Sequence, residues 1–130
     1  MDVLLSIKPK YVKSIINGEK RYEFRRTIFK NRDINQIYIY SSFPIKKIVA
    51  TFMIGDILED HPIDLWENVK DYAGIDREVF FSYFKGKSKA FAIEIQDLHE
   101  FDEPIDPWTM MRGFVPPQSY CYLNDTPMAK

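Results

Sequence analysis

One cysteine and two histidines are all the thiol and imidazole groups that 130 residues offer. Cys121 has no second thiol to pair with, so an internal disulfide is excluded and the composition fits a reducing compartment, the cytoplasm being the expected location. It has no neighbouring histidine in sequence and reads as a partly buried small apolar residue rather than a nucleophile. His61 and His99 stand far apart and give no metal-ligand spacing. Glycine is scarce too, five in all, and neither a Gly-rich phosphate loop nor a Gly-x-Ser-x-Gly elbow is present, so no metal and no cofactor is expected. No apolar run approaches the roughly 18 residues of a membrane span, and no membrane partner is expected. The opening Met-Asp-Val-Leu-Leu-Ser-Ile-Lys lacks the basic stretch and small-residue cleavage site of a leader peptide. No internal repeat or low-complexity segment interrupts the chain. What is present is the composition of a folded globule, 45% hydrophobic and 15% aromatic. The length suits one core and one domain over residues 1–124, with 125–130 expected as a frayed tail.

The formal net charge of −1 hides an asymmetry. Residues 1–50 carry eleven Lys/Arg against four Asp/Glu, whereas residues 51–130 carry seven against fifteen. Such polarity can produce one basic face, the electrostatic footprint of a phosphate-backbone partner. It can equally dissolve into ordinary solvated surface once the halves interleave.

Val3–Ile7 reads as a short buried first strand. Pro9 suits the first position of a helix and Gly18 the position just past its end. Between them Tyr11, Val12, Ile15 and Ile16 share one side, leaving Lys10 and Lys13 to water. Residues 20–26 are expected as a second strand, with Tyr22 and Phe24 on one face and Arg21, Glu23 and Arg25 on the other. A polar connection, Thr27–Asp33, leads to a β run from Ile34 to Tyr40. Ser42-Phe43-Pro44 turns the chain into a long strand from Ile48, apolar on both faces, in which Gly55 marks a bulge or bend. Helical spacing follows in Leu65, Trp66, Val69 and Tyr72. A second helix begins after Asp76, carries Val79, Phe80 and Phe84, and ends at Gly86. Phe91, Ile93 and Ile95 alternate with Ala92, Glu94 and Gln96 as a half-buried strand. Asp102–Pro107, acidic and proline-bearing, is expected as a loop, Trp108–Met111 as one helical turn, and Tyr120–Leu123 as a last strand. The pattern is α+β: about five or six strands able to close as a small barrel, an early amphipathic helix, and an inserted helical pair over one opening.

Residues 18–26, Gly-Glu-Lys-Arg-Tyr-Glu-Phe-Arg-Arg, concentrate two carboxylates and four cations at a helix-to-strand junction. Two residues apart on a strand, Glu23 and Arg25 can bond each other and still face a cleft, where Arg25 takes a phosphate or carbonyl oxygen. They can also form a surface ion pair worth under ~1 kcal/mol, and spacing alone favours the ion pair. Lys20 is a nucleophile or base if burial lowers its pKa, or a solvated strand-start lysine if not. Lys46-Lys47 and Lys85, Lys87 and Lys89 are either phosphate contacts or turn lysines kept for solubility. Tyr38, Tyr40, Phe43, Trp66, Phe91 and Trp108 offer stacking platforms, although a small barrel needs most such rings as core. Trp108 and Phe114, in loop-like context, are expected to be the exposed pair.

Ile7-Lys8-Pro9, the helix, and Gly18-x-Lys20-x-x-Glu23-x-Arg25 resemble the signature of the ASCH domain family, whose β-barrel is related to PUA domains. The Ile48–Glu59 strand with Gly55-Asp56, the Leu65–Tyr72 helix, Phe81–Gly86 and Pro116-Pro117-Gln118-Ser119 resemble the small prokaryotic proteins of that group, described as predicted transcriptional regulators. The resemblance implies binding of RNA or other nucleic acid in a cleft between the barrel and the first helix. It maps Lys20, Glu23 and Arg25 onto the signature positions, with Lys8 and Ser41 or Ser42 as neighbours. Arg21, Arg26, Lys46 and Lys47 would then steer the strand in. The resemblance also implies alternatives. One branch resembles an amidohydrolase of acylated cytidine that uses the signature lysine, a threonine and a later glutamate. Here Glu23 stands where that branch has threonine, and Glu67 or Glu78 would supply the later carboxylate. Other relatives are linked to ribonuclease activity, which needs an acid–base pair that the signature does not assign; for an enzyme of any kind Lys20 and Glu23 are the catalytic candidates. A third class binds a small nucleotide-like effector and acts through a protein partner.

Overall fold

The computed structural model describes residues 1–123; the tail expected at 125–130 lies outside them. The elements are β1 (Asp2–Ile7), α1 (Pro9–Ile16), β2 (Tyr22–Arg25), β3 (Ile37–Ser41), β4 (Lys47–Asp60), α2 (Pro62–Val69) with a 3-10 turn (Lys70–Tyr72), α3 (Arg77–Tyr83), β5 (Ala90–Ile105), α4 (Pro107–Met110) and β6 (Tyr120–Leu123). One six-stranded sheet runs β2-β5-β4-β3-β1-β6 and curls into a half-barrel. β1 and β3 are parallel, joined across α1 and β2, and the other pairings are antiparallel. None of the helices described is long and apolar enough to cross a membrane.

Alternation along β1 explains how one sheet serves two cores. Val3, Leu5 and Ile7 join Val12 and Ile15 of α1, Ile37 and Ile39 of β3, Phe52 and Ile93 in the principal cluster. Leu4, between them, packs with Tyr38, Tyr40, Ile48 and Leu123 on the other face. A third cluster holds the helical insertion to the sheet: Phe24, Leu65, Val69, Ala73, Phe80 and Phe84. Phe80 meets Phe24 edge-on at 5.0 Å and Phe84 at 4.9 Å between ring centroids. Tyr38, Tyr40 and Phe91 are therefore core, as barrel filling requires, and Trp66 is half-buried.

Three boundaries differ from the pattern-based expectation. β2 is four residues long, not seven. Lys20 N–H donates to the Ser14 carbonyl and Arg21 N–H to that of Tyr72, so both N–H groups are diverted from β5, although the Arg21 carbonyl still accepts from Ile95 N–H. The β run expected from Ile34 starts at Ile37. Asp102–Ile105, expected as loop, continues β5 instead. The register there jumps from Ala50↔Glu100 to Ile48↔Ile105, so Pro104 falls where the ladder is interrupted and need not donate to it. Another of the three shifts in this ladder, between Ile54 and Ile57, falls at Gly55, where the irregularity is expected. α3 begins after Asp76 as expected, although the Asp76 side chain caps nothing.

Candidate functional site

The Ile7-Lys8-Pro9 junction ends β1 and turns at once into α1, with Lys8 extended just before the proline. The helix closes through Asn17, and Gly18 takes φ +86°, a left-handed conformation that costs a side-chain-bearing residue about 1–2 kcal/mol. This turn points Lys20 inward. Its Nζ donates to the Ala73 carbonyl at 3.0 Å and stands 4.3 Å from the Phe24 ring centroid. At 3% exposure Lys20 is not the solvated strand-start lysine that most such positions hold. Burial pulls its pKa from 10.5 down to about 8, opposed in part by the Glu23 carboxylate and assisted by the Arg25 cation.

Gly74 makes this approach possible. With φ +66° it packs so closely that an added methyl would overlap Lys20 Cβ and stand 2.8 Å from Lys20 Cα. Gly74→Ala should cost about 2–4 kcal/mol from combined backbone strain and overlap, read as a fall in the midpoint of chemical denaturation. Gly18→Ala, where nothing lies within 4 Å, should cost only the backbone strain.

Glu23 and Arg25 leave β2 on the face opposite Phe24. Arg25 Nη2 bonds Glu23 Oε2 at 3.0 Å and donates to the Ser6 carbonyl at 3.1 Å. Its Nη1 reaches Ser119 Oγ at 3.0 Å, and its Nε is buried with no partner among the described residues. Both side chains are 10% exposed, so the surface ion pair favoured by spacing is instead a buried pair. Its Coulombic attraction is set against a large desolvation cost, and breaking it by removing one partner is expensive. Arg25 thereby ties β2, one edge of the sheet, to β1 and to the lead-in of β6, the other edge.

These groups line a cleft of about 1050 Å³ between the end of β1, α1 and α3. Lys8, Lys20, Glu23, Arg25, Arg26 and Ser42 all line it. Lys87 and Glu78 join them from the helical insertion, which makes five cations against two carboxylates. Arg26 donates from Nε to the Tyr83 carbonyl at 2.8 Å and lies over the Tyr83 ring. The remaining sequence candidates lie outside this lining. Arg21 is exposed and stacks on Tyr72 at 4.3 Å. Ser41 is buried and pairs with Lys47 at the β3–β4 junction. Lys46 is exposed beside Trp108. Glu67 pairs with Lys70 on exposed helix surface, so of the two later carboxylates only Glu78 reaches the cleft. Trp108 is exposed as expected, whereas Phe114 is half-buried between Tyr40 and Trp108. Ser6 and Ser119 were not legible as site residues; the only signal near them was the Pro-Pro-Gln-Ser segment itself.

A curled six-stranded half-barrel with an early helix and a cleft at the helix–strand junction defines a small PUA-like domain. The chain belongs to the ASCH domain family, whose model matches residues 5–104. It is 30% identical over 126 residues to an ASCH domain-containing ribonuclease of Zymomonas mobilis, an alignment covering 95% of this chain and 84% of that protein. The crystal structure of ASCH from Zymomonas mobilis superposes with a TM-score of 0.88 at 28% identity, covering 95% of this chain and 88% of the other. A large ribosomal subunit protein uL22 of Ureaplasma parvum is 23% identical over 125 residues, and there this chain spans 39% of the relative's length.

Proposed function

We propose that this chain binds RNA in the cleft, with the Lys20 ammonium as the principal group for a phosphate or base oxygen. The observation that carries this reading is a buried lysine with one protein acceptor among the described residues, on a wall whose ionisable lining is net positive. An ammonium has three donors, so Lys20 keeps two for a ligand. Arg25, by contrast, spends its Nη groups on protein acceptors, so it holds the wall in place while Glu23 fixes its orientation. Lys8, Arg26 and Lys87 supply the longer-range attraction.

Strand cleavage is the second reading, favoured by the Zymomonas ribonuclease and by the Lys20 pKa of about 8, which leaves a usable fraction of free amine near neutrality. In that reading the amine accepts the proton of a ribose 2′-hydroxyl and the 2′-oxygen attacks phosphorus. The bond to the 5′-oxygen breaks, and water protonates the departing oxygen. The products are a 2′,3′-cyclic phosphate and a 5′-hydroxyl. Binding without cleavage is what a regulator acting on transcripts needs.

The test is a labelled single-stranded RNA pool titrated against wild type and Lys20→Met across a salt series, with the recovered RNA sized. Salt-sensitive binding weakened about 10- to 100-fold in the variant is expected. Equal affinity in the two proteins, or no binding at low salt, overturns the reading. Shortened RNA with cyclic phosphate ends, formed only by wild type, selects cleavage.

A further inference from the structure

Outside the cleft, four of the exposed apolar side chains sit together on two touching elements. Phe43 and Ile45 in the β3–β4 turn are 80% and 47% exposed, and Trp108 and Met110 of α4 are 41% and 42%. The two elements touch: Lys46 Nζ lies 5.4 Å from the Trp108 ring centroid. The patch adjoins the cleft, because Ser42 lines the cleft and its N–H donates to the Ile7 carbonyl at 3.0 Å, next to Lys8. Phe43 is the following residue.

The charge of the patch is mainly positive. Residues 41–47 and 107–119 contain Lys46, Lys47 and Arg112 and no carboxylate, in a chain whose second half is strongly acidic. The flanking Asp106 caps α4, accepting from Trp108 N–H at 2.9 Å, and Asp102 and Glu103 lie in the β5 bulge. Lys46 also sits at φ +57°, where glycine or asparagine is cheaper than lysine. Keeping a lysine there retains an ammonium beside an exposed indole.

We propose that this patch is a second nucleotide subsite, on which single-stranded RNA leaving the cleft past Ser42 stacks a base on Phe43 and sets phosphates against Lys46 and Lys47. The inference rests on RNA as the ligand of the cleft. Aromatic rings interleaved with cations are the pattern of single-strand binding, because every base offers a stacking face and the backbone offers only negative charge. A base within a duplex could not reach Phe43 without unstacking, which makes the substrate single-stranded.

The experiment compares a labelled tetranucleotide with a decanucleotide of RNA, on ice with lengths checked, on wild type, Phe43→Ala, Lys46→Gly and Lys20→Met. Wild type should bind the decanucleotide more tightly. Phe43→Ala should lose roughly 5- to 100-fold for the decanucleotide, keep its tetranucleotide affinity and keep its salt slope. Lys46→Gly should lower the salt slope by about 0.7 without lowering the melting temperature. Lys20→Met should weaken both lengths. If Phe43→Ala and Lys46→Gly both match wild type on the decanucleotide while Lys20→Met does not, the subsite is wrong, the cleft reading stands, and the patch serves another partner. If wild type binds neither length, the cleft reading has failed and the subsite with it.

Discussion

Lys20→Met should abolish the rise in stability that the wild-type protein shows as pH increases from 8 to 10, while weakening RNA binding most below pH 8, where the wild-type amine is an ammonium. The sign follows from linkage. Lys20 has its folded-state pKa depressed from 10.5 to about 8, so between those values the unfolded chain holds a proton that the folded chain has released. Unfolding free energy then climbs with pH by up to about 1.4 kcal/mol per unit, and the gain is complete near pH 10.5. Below pH 8 both states are protonated, and the folded state carries the full cost of a buried ammonium, on the order of 3 kcal/mol. Methionine removes that cost and fills a similar volume, at the expense of the Ala73 hydrogen bond and the contact with Phe24. At pH 7 the variant should therefore melt no lower than wild type. Urea titrations of both proteins at half-unit pH steps decide the matter: parallel curves would mean that Lys20 titrates at its ordinary pKa. The window closes near pH 10 because burial raises the pKa of Tyr38 and Tyr40, whose ionisation favours the unfolded chain.

Arg25→Met should be the most destabilising single change in the site. It leaves Glu23 as a buried carboxylate without its cation, and the Ser6 carbonyl and Ser119 hydroxyl without their donor. Removing one member of a buried pair costs about 3–5 kcal/mol. For a domain of this size that is a melting temperature lower by roughly 10–20 °C. Glu23→Gln in the Arg25→Met background should recover part of the loss, since an amide tolerates burial without a counter-charge. A double-mutant cycle with no coupling between the two positions would show that the pair contributes nothing beyond its parts.

Several of these features were legible in the sequence because they are local. The Pro9–Gly18 helix, the alternation that sets Glu23 and Arg25 on one face of β2, and the last strand at Tyr120–Leu123 follow from spacing and caps. The depth of those residues was not legible. Spacing puts a carboxylate and a guanidinium side by side but says nothing of what covers them, and here the cover comes from Ser119, 94 residues beyond Arg25. Lys20 is buried by Ala73 and Gly74, 53 and 54 positions away, with no periodicity linking them. The far end of β5, beyond the half-buried strand that alternation marks, was hidden for a different reason. Pro104 and two acids read as loop, and only the partner strand shows that the ladder skips them.

The pairing of β6 with β1 joins the two ends of the described chain. On a ribosome, β1, α1 and β2 emerge early, yet Arg25 has no Ser119 to hold until nearly the whole sequence has left the exit tunnel. A growing chain therefore carries Lys20 and Arg25 without the finished wall between them. Synthesis order thus makes a complete cleft a property of the completed domain.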